Sequence, residues 1–493
     1  MNALANAPLD VPVLLAKLGA YPRRITSDSR RVEPGVAFAA YRGTQADGRA
    51  YVADAIARGA AAVLWDADGF NWNEGWQVKN ASVLGLQARL GAIADFIYGS
   101  PSQRLWIVGV TGTNGKTSCA HWIAQALDTC GRRAAVLGTL GNGLVGHLGP
   151  AAYTTPDAAV LHELLAQFNA AGASAAVIEV SSHGLAQGRL NGAKFDVALF
   201  TNLSRDHLDY HGTMAAYGQA KAKLFTWPGL RTAVINADDS FGQSLIDAAR
   251  SRRQHVVSYG FANAGVAASG LALSEGGVSF AVATPWGNGR LEAPVAGAFN
   301  ASNLLGALAV LLASDVPFDA ALAALAQVQA PAGRMQRFGG DGKPLVVVDY
   351  AHTPDALEQA LRALRPAVAA GRELVCVFGC GGDRDPGKRA EMGNVAAKLA
   401  NRVVVTSDNP RFEDPGAIAN AIAHAVREQG NRRWVIELDR RQAIAQAIAD
   451  AAPGDVVLVA GKGHETYQEC AGVRLPFSDA REVAGAIKAW SSR

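Results

Sequence analysis

The stretch Leu105-Trp106-Ile107-Val108-Gly109-Val110-Thr111-Gly112-Thr113-Asn114-Gly115-Lys116-Thr117-Ser118 leaves the chain few conformational options. An apolar run enters a glycine-rich loop, after which Cys119, Trp122, Ile123, Ala126, Leu127 and Cys130 recur with helical spacing until Gly131 supplies a stop. The pattern predicts a strand, a loop and a helix start. Such a loop suits phosphate: its glycines let backbone N–H groups converge on anionic oxygens, and the helix N-terminus adds partial positive charge. Lys116 reaches terminal phosphates and Thr117 offers a hydroxyl to Mg²⁺. The strict G-x-x-x-x-G-K-[ST] spelling asks for glycine at Val110, whereas this chain has glycine at 109 and 112, so the loop is a variant. The alternative is an ordinary glycine-rich turn; the strand-to-helix setting of Gly115-Lys116-Thr117 favours phosphate.

At 493 residues, 49% hydrophobic and 18% charged, the chain has a globular composition and room for about three domains. A net charge of +3 gives no basis for nucleic acid as a partner, so phosphate recognition must be local. No apolar run approaches membrane-spanning length and no leader pattern opens the chain, so no membrane insertion is expected and the cytoplasm is the expected compartment. Cys119, Cys130, Cys376, Cys380 and Cys470 form an odd set without repeated metal spacing, as expected of buried free thiols.

Boundaries are expected at Tyr98-Gly99-Ser100-Pro101-Ser102 and at Pro331-Ala332-Gly333-Arg334, giving domains 1–101, 102–335 and 336–493. The first mixes short strands and helices; its loops Thr26 to Arg30 and Gly43 to Arg49 read, from residue type, as plain turns. In the second, apolar strands Ala175–Val180 and Val197–Thr201 end in Glu179 and near His207, and a parallel sheet would bring both ends to the crevice where the glycine loop opens. Glu179 is then a plausible metal ligand, whereas His207 fits a structural role equally well. Gly276-Gly277 and Gly287-Asn288-Gly289 suggest hairpins added to this domain. From Lys343 onward strands and helices alternate, which predicts a doubly wound parallel sheet. Its strand-end loops would gather Asp383, Arg384, Asp408, Asn409, Arg411, His464 and Glu465, a set suited to a zwitterionic ligand. Gly379 to Arg384 lacks the third glycine of a dinucleotide fingerprint, so no dinucleotide site is expected there.

Ordered motifs along almost the whole chain resemble the Mur ligases: Gly112 to Thr117, Tyr153-Thr154-Thr155-Pro156, Glu179 to Leu185, Thr201 to Gly212, Asp349 to Pro354, Asp408-Asn409-Pro410-Arg411 and Gly461-Lys462-Gly463-His464-Glu465. The resemblance implies an α/β protein of three domains: an N-terminal mixed α/β uridine-binding domain, a central P-loop ATPase domain with a parallel sheet, and a C-terminal Rossmann-like doubly wound domain. It implies an ATP- and Mg²⁺-dependent ligase of peptidoglycan precursor synthesis, acting as a monomer. Meso-diaminopimelate would be joined to the γ-carboxylate of D-Glu in UDP-MurNAc-L-Ala-D-Glu, through an acyl phosphate.

The resemblance also assigns residues. Lys116, Glu179, His207 and Lys221 would be catalytic, with Thr117, Glu179, His207 and a carbamylated Lys221 around metal, which favours the metal role of His207. ATP would be held by Gly112, Thr113, Asn114, Gly115, Lys116, Thr117 and Ser118, with Asn303, Arg334, Asp349 and His352 at base and ribose. Ser27, Ser29, Thr44, Gln45 and Ala46 would bind uridine, overriding the plain-turn reading. Thr154, Thr155, Ser181, Gln187 and Arg189 would hold the rest of the nucleotide-sugar peptide, and Tyr153 stands where a relative has asparagine. Arg384, Asp408, Asn409, Pro410, Arg411, Gly461 and Glu465 would bind diaminopimelate. Arg411 can pair with the carboxylate that lysine lacks, and lysine-adding members typically lack this arginine. The competing readings are a ligase adding lysine or another amino acid, a folylpolyglutamate synthetase, and a nucleotide-binding scaffold without catalysis. The uridine and Asp-Asn-Pro-Arg matches weigh against the first two, and the complete Lys116, Thr117, Glu179, His207 and Lys221 set weighs against the third.

Overall fold

A computed structural model describes residues 9–44, 46–274 and 277–491. Gln45 and the Gly276 of the expected hairpin lie outside the described residues. Three main sheets follow one another along the chain. In the first, β1 (Arg24–Thr26), β2 (Val36–Ala40), β3 (Ala62–Trp65) and β4 (Asn80–Ser82) lie side by side in sequence order, all parallel.

The second sheet has eleven strands: β5 (Trp106–Thr111), β6 (Ala134–Gly138), β7 (Gly141–Leu144), β8 (His147–Gly149), β9 (Ala175–Glu179), β10 (Val197–Phe200), β11 (Thr232–Asn236), β12 (His255–Gly260), β13 (Val266–Ser274), β14 (Gly277–Thr284) and β15 (Gly287–Ala293). Their spatial order is 15-14-13-12-11-10-5-9-6-7-8. Strands 12-11-10-5-9-6 are parallel and buried on both faces, which is why they read as continuous apolar runs. Antiparallel ribbons extend both edges, so the hairpin expected at Gly287 is β14 turning into β15. The helix Ala298–Ala313 is apolar nearly all round because it is buried against this sheet, packing beside the Lys116–Thr129 helix.

The third sheet contains β16 (Gln336–Gly339), β17 (Leu345–Asp349), β18 (Leu374–Phe378), β19 (Arg402–Val405), β20 (Trp434–Ile436) and β21 (Val456–Ala460) in the order 16-17-21-18-19-20. Five strands are parallel, as the alternation predicts; β16 joins the edge antiparallel. Thr353 caps the helix Pro354–Leu364 by accepting from Ala356 N–H, with Pro354 at its first position. A final helix, Asp479–Ala489, is anchored by a bidentate pair in which Arg440 Nε and Nη2 each lie 2.7 Å from Asp479 oxygens, both side chains fully buried.

Cys376 and Cys380 pack in the core of this third unit, and Cys119 is buried under the central sheet. Cys470 departs from the buried-thiol expectation: it is exposed at the end of the first strand of the small hairpin Tyr467–Cys470 and Val473–Pro476. Among the described residues no helix is long and apolar enough to cross a membrane.

Candidate active site

β5 is the point where the central sheet's strand order reverses, with β10 on one side and β9 on the other. Crevices open at the carboxyl ends of strands at such a point. Register does the rest: Val110 faces Glu179 across β9, and Thr111 faces Phe200 across β10, so Glu179 and the Thr201-Asn202 turn flank the glycine loop. Gly112 has φ 149° and an added Cβ would lie 1.8 Å from Thr201 Oγ1. Gly115 has φ 85° and its Cβ would lie 2.3 Å from Asn303 Oδ1. Side chains there would fill the cradle, so both positions require glycine.

A cavity of about 550 Å³ opens over this loop, lined by Thr113 to Ser118, Glu179, His207, Lys221, Asn303, Arg334, Asp349 and His352. Glu179 is fully buried; Thr117 Oγ1 donates to its Oε2 at 2.9 Å, and Thr139 donates its N–H to Oε1 at 2.9 Å and its hydroxyl to Oε2 at 3.1 Å. Lys116 Nζ folds back to donate to the Gly112 and Thr113 carbonyls, each at 2.8 Å. Lys221 Nζ, 1% exposed as a residue, donates to the same Gly112 carbonyl at 2.7 Å and lies 4.3 Å from the Tyr217 ring centroid. Burial, reinforced by Lys116, drives the Lys221 ammonium well below its ordinary range. His207 sits at φ 54°; loss of water pushes its imidazole down to about 4, with the Asp206 carboxylate opposing and Lys116 adding to the shift.

These donors fit a nucleotide and a divalent cation. Thr117, Glu179 and His207 offer a hydroxyl, a buried carboxylate and a neutral imidazole that could hold a cation, and among the described residues Arg334 Nε is buried without a hydrogen-bond partner. Arg334 reaches the glycine loop: its Nη2 donates to Thr117 Oγ1 at 3.1 Å, and the guanidinium lies 4.6 Å from the Tyr350 ring centroid. Asp349, in the cavity wall, accepts from Met335 N–H at 2.7 Å and Ala351 N–H at 2.8 Å. His352 Nδ1 must donate to the Tyr350 carbonyl at 2.9 Å, leaving Nε2 as an acceptor. Asn303 is braced by Asn300 at 3.1 Å. Asp355, not singled out from sequence, accepts from Asn114 Nδ2 at 3.0 Å and ties the third unit to the loop.

A second cavity, of about 300 Å³, abuts the first and shares Asp206, His207, Tyr350 and His352 with it. Its far wall carries Arg384, Asp408, Asn409, Arg411, Gly461 and Glu465 from the ends of β18, β19 and β21. Arg411 Nη1 donates to the Gly382 carbonyl at 2.6 Å, which seats the guanidinium on the Gly381-Gly382 turn. Arg384 reaches within 3.9 Å of Asp209 in the central unit. Pro410 does not line this cavity: its carbonyl closes on Gly382, where a Cβ would meet it at 2.0 Å.

A third cavity, of about 970 Å³, is bounded by Ser27, Ser29, Ala46, Tyr153 and Asp157. Thr44 lies just outside its lining, and nothing is assigned to Gln45. Tyr153 supports Arg189, whose guanidinium lies 4.7 Å from its ring centroid. Thr154 and Ser181 line the cavity over the glycine loop. Thr155 is fully buried, its hydroxyl donating to the Glu179 carbonyl at 2.7 Å, so it shapes the strand end without lining a cavity. Arg189 donates to the Thr155 carbonyl at 2.9 Å and to Gln187 at 2.9 Å, and Gln187 donates to Tyr210 at 3.3 Å. Glu163 accepts from Arg24 at 2.8 Å and Arg31 at 2.7 Å, clasping the first unit to the second.

The chain matches three family profiles: "Mur ligase family, catalytic domain" over residues 23–98, "Mur ligase middle domain" over 110–311, and "Mur ligase, glutamate ligase domain" over 333–463. It is 52% identical over 483 residues, 98% of this chain and 97% of the relative, to the UDP-N-acetylmuramoyl-L-alanyl-D-glutamate–2,6-diaminopimelate ligase of Chromobacterium violaceum. The relative of the same name from Pseudomonas aeruginosa is 50% identical, with 95% of each chain covered. A solved structure of a ligase of that name superposes with a TM-score of 0.68 at 39% identity over 95% of each chain.

Proposed function

The chain belongs to the Mur ligase family, and on that footing we propose that it joins meso-diaminopimelate to the γ-carboxylate of the D-glutamyl residue in UDP-MurNAc-L-Ala-D-Glu, with ATP converted to ADP and phosphate. The observation that carries this reading is the shared wall of Asp206, His207, Tyr350 and His352 between the phosphate-loop cavity and the Arg411 cavity. An acid activated in one is presented to an amine held in the other.

A free carboxylate resists an amine because it is anionic and has no good leaving group. Transfer of the terminal phosphoryl group to its oxygen gives an acyl phosphate, which the amine attacks with loss of phosphate. Two anions must approach for the first step, and Lys116, released from the Gly112 and Thr113 carbonyls, neutralises the developing charge together with Arg334. Thr117, Glu179, His207 and a carbamylated Lys221 would hold Mg²⁺, which when bound screens the phosphate charge during transfer. Carbamylation needs the neutral amine, whose nitrogen bonds to the CO₂ carbon with loss of a proton; burial of Lys221 beside Lys116 favours that form. Arg411 takes the distal carboxylate of diaminopimelate.

On this reading residues 1–101 bind the uridine end, 102–335 the ATP, and 336–493 the amino acid, and a monomer works in the cytoplasm on soluble precursors. The test is phosphate release and amide product with each substrate omitted in turn. Release that requires both the acceptor peptide and diaminopimelate supports the proposal; ATP hydrolysis without amide product, or equal use of lysine, overturns it.

A further inference from the structure

Behind the wall of the Arg411 cavity sits a lysine with no access to it. Lys462 follows Gly461 at the exit of β21, is 0% exposed, and lies outside the cavity lining. Its ammonium donates to Asn409 Oδ1 at 2.9 Å and to Glu465 Oε2 at 2.7 Å, with the Tyr467 ring centroid 5.6 Å away. Asn409 Nδ2 also donates to Glu465 Oε2, at 2.8 Å, and Asn409 Oδ1 takes a further bond from Glu469 N–H at 3.0 Å. Both ligands of the lysine line the cavity; the lysine holds them from behind.

We propose that Lys462 is a positioning residue for amino-acid selection, orienting Asn409 and Glu465 so that together with Arg411 they read both charged groups at the far end of the diaminopimelate. This rests on the reading that the cavity takes that amino acid. The argument is one of donor and acceptor arithmetic. An ammonium has donors only, so it forces the Asn409 amide oxygen inward and its NH₂ group toward Glu465. Glu465 Oε2 then receives two donors and is spent, which leaves Oε1 for a substrate ammonium. Arg411 supplies the complementary fork for a carboxylate. An ammonium site and a carboxylate site in one wall can discriminate the configuration of the carbon that bears both groups, provided neither can swing. Without the buried cation, the Asn409 amide oxygen keeps only the Glu469 N–H bond, and Glu465 is free to turn its second oxygen inward.

Tight backbone geometry keeps the lysine in place. Gly461 has φ 114°, and a Cβ there would lie 2.5 Å from Asp408 Oδ2; Gly463 has φ 52°, and a Cβ there would lie 2.7 Å from the Gly333 carbonyl and from Tyr350 Cβ. The loop is gripped on both sides of Lys462.

The experiment compares wild type, Lys462→Met, Glu465→Gln and the double variant in steady-state assays with meso-, LL- and DD-diaminopimelate. Wild type must first couple the meso isomer; failure there refutes the parent reading, not this one. In Lys462→Met the KM for the meso isomer is expected to rise on the order of tenfold or more and the preference over the other isomers to shrink, with KM for ATP and acceptor peptide within about twofold. In the Glu465→Gln background the Lys462→Met change is expected to add less than about threefold, because the lysine acts through its partners. Unchanged isomer preference in Lys462→Met overturns the proposal, as do equal losses for all three substrates or fully additive effects. If Lys462→Met is too unstable to assay, the double variant, which lacks both charges of the pair, is compared with Glu465→Gln alone; a difference beyond threefold between them overturns it.

Discussion

Replacing Arg411 by alanine removes the cation that distinguishes a diaminopimelate site from a lysine site. The side chain is anchored by one hydrogen bond, Nη1 to the Gly382 carbonyl at 2.6 Å, which leaves the rest of the fork for the cavity. Two charge-assisted bonds to a carboxylate contribute about 1.5–3 kcal/mol each when well aligned. The cavity is open to the interdomain cleft, so the lower part of that range applies, about 3–4 kcal/mol in all, or roughly a 150- to 1,000-fold loss in kcat/KM. The loss should fall mainly on KM for diaminopimelate, since the arginine grips a group remote from the reacting amine. Arg411 has φ 53°, a left-handed backbone that alanine must also adopt, so backbone strain is common to both proteins. Arg411→Lys keeps the charge without the fork and is expected to recover only part of the loss. The assay is phosphate release at saturating ATP and acceptor peptide, with diaminopimelate and lysine titrated separately. A diaminopimelate kcat/KM within threefold of wild type, with the preference over lysine intact, would refute the reasoning.

Asp479→Asn leaves the buried Arg440 guanidinium without its counter-charge and should cost about 3–5 kcal/mol in chemical denaturation, whereas replacing both partners by apolar residues of similar volume should recover most of it; a cost below about 1 kcal/mol would show that the pair is not desolvated as it appears. Gly115→Ala must push a Cβ against Asn303 at φ 85°, so KM for ATP should rise at least about tenfold with far-ultraviolet circular dichroism unchanged, and near-normal ATP use would count against the cradle. Intact-protein mass under bicarbonate should show one added CO₂ that Lys221→Ala lacks; active wild type with a bare amine would remove the carbamate from the mechanism. Chelation should abolish phosphate release and Mg²⁺ restore it; chelator-resistant activity would exclude the cation-binding role of Thr117 and Glu179.

Local chemistry made part of this molecule legible in one dimension. Continuous apolar runs such as Ala175–Glu179 and Val456–Ala460 signal strands buried on both faces, and Thr353-Pro354 signals a helix start, because these patterns act over a few residues. The glycine loop was legible for the same reason: backbone conformations open only to glycine leave a mark in the sequence. The curving edges were not, since β7, β8 and the antiparallel β16 are short and carry weak periodicity.

Site assembly depended on distance in space. Thr117 meets Glu179 across 62 residues and Arg334 across 217, and nothing in the local pattern around Arg334 says that it turns toward Thr117. Lys462 reads in sequence as one charged residue in a glycine-rich loop; only packing reveals that water is excluded from it and that two pocket residues take its hydrogen bonds. The sequence by itself determined the strands, the phosphate loop and the family, because short-range sterics and burial periodicity are written residue by residue. Which side chains converge, and which are sealed behind others, was decided by the tertiary structure, because hydrogen bonds between distant residues depend on sheet order and register, which no local pattern encodes.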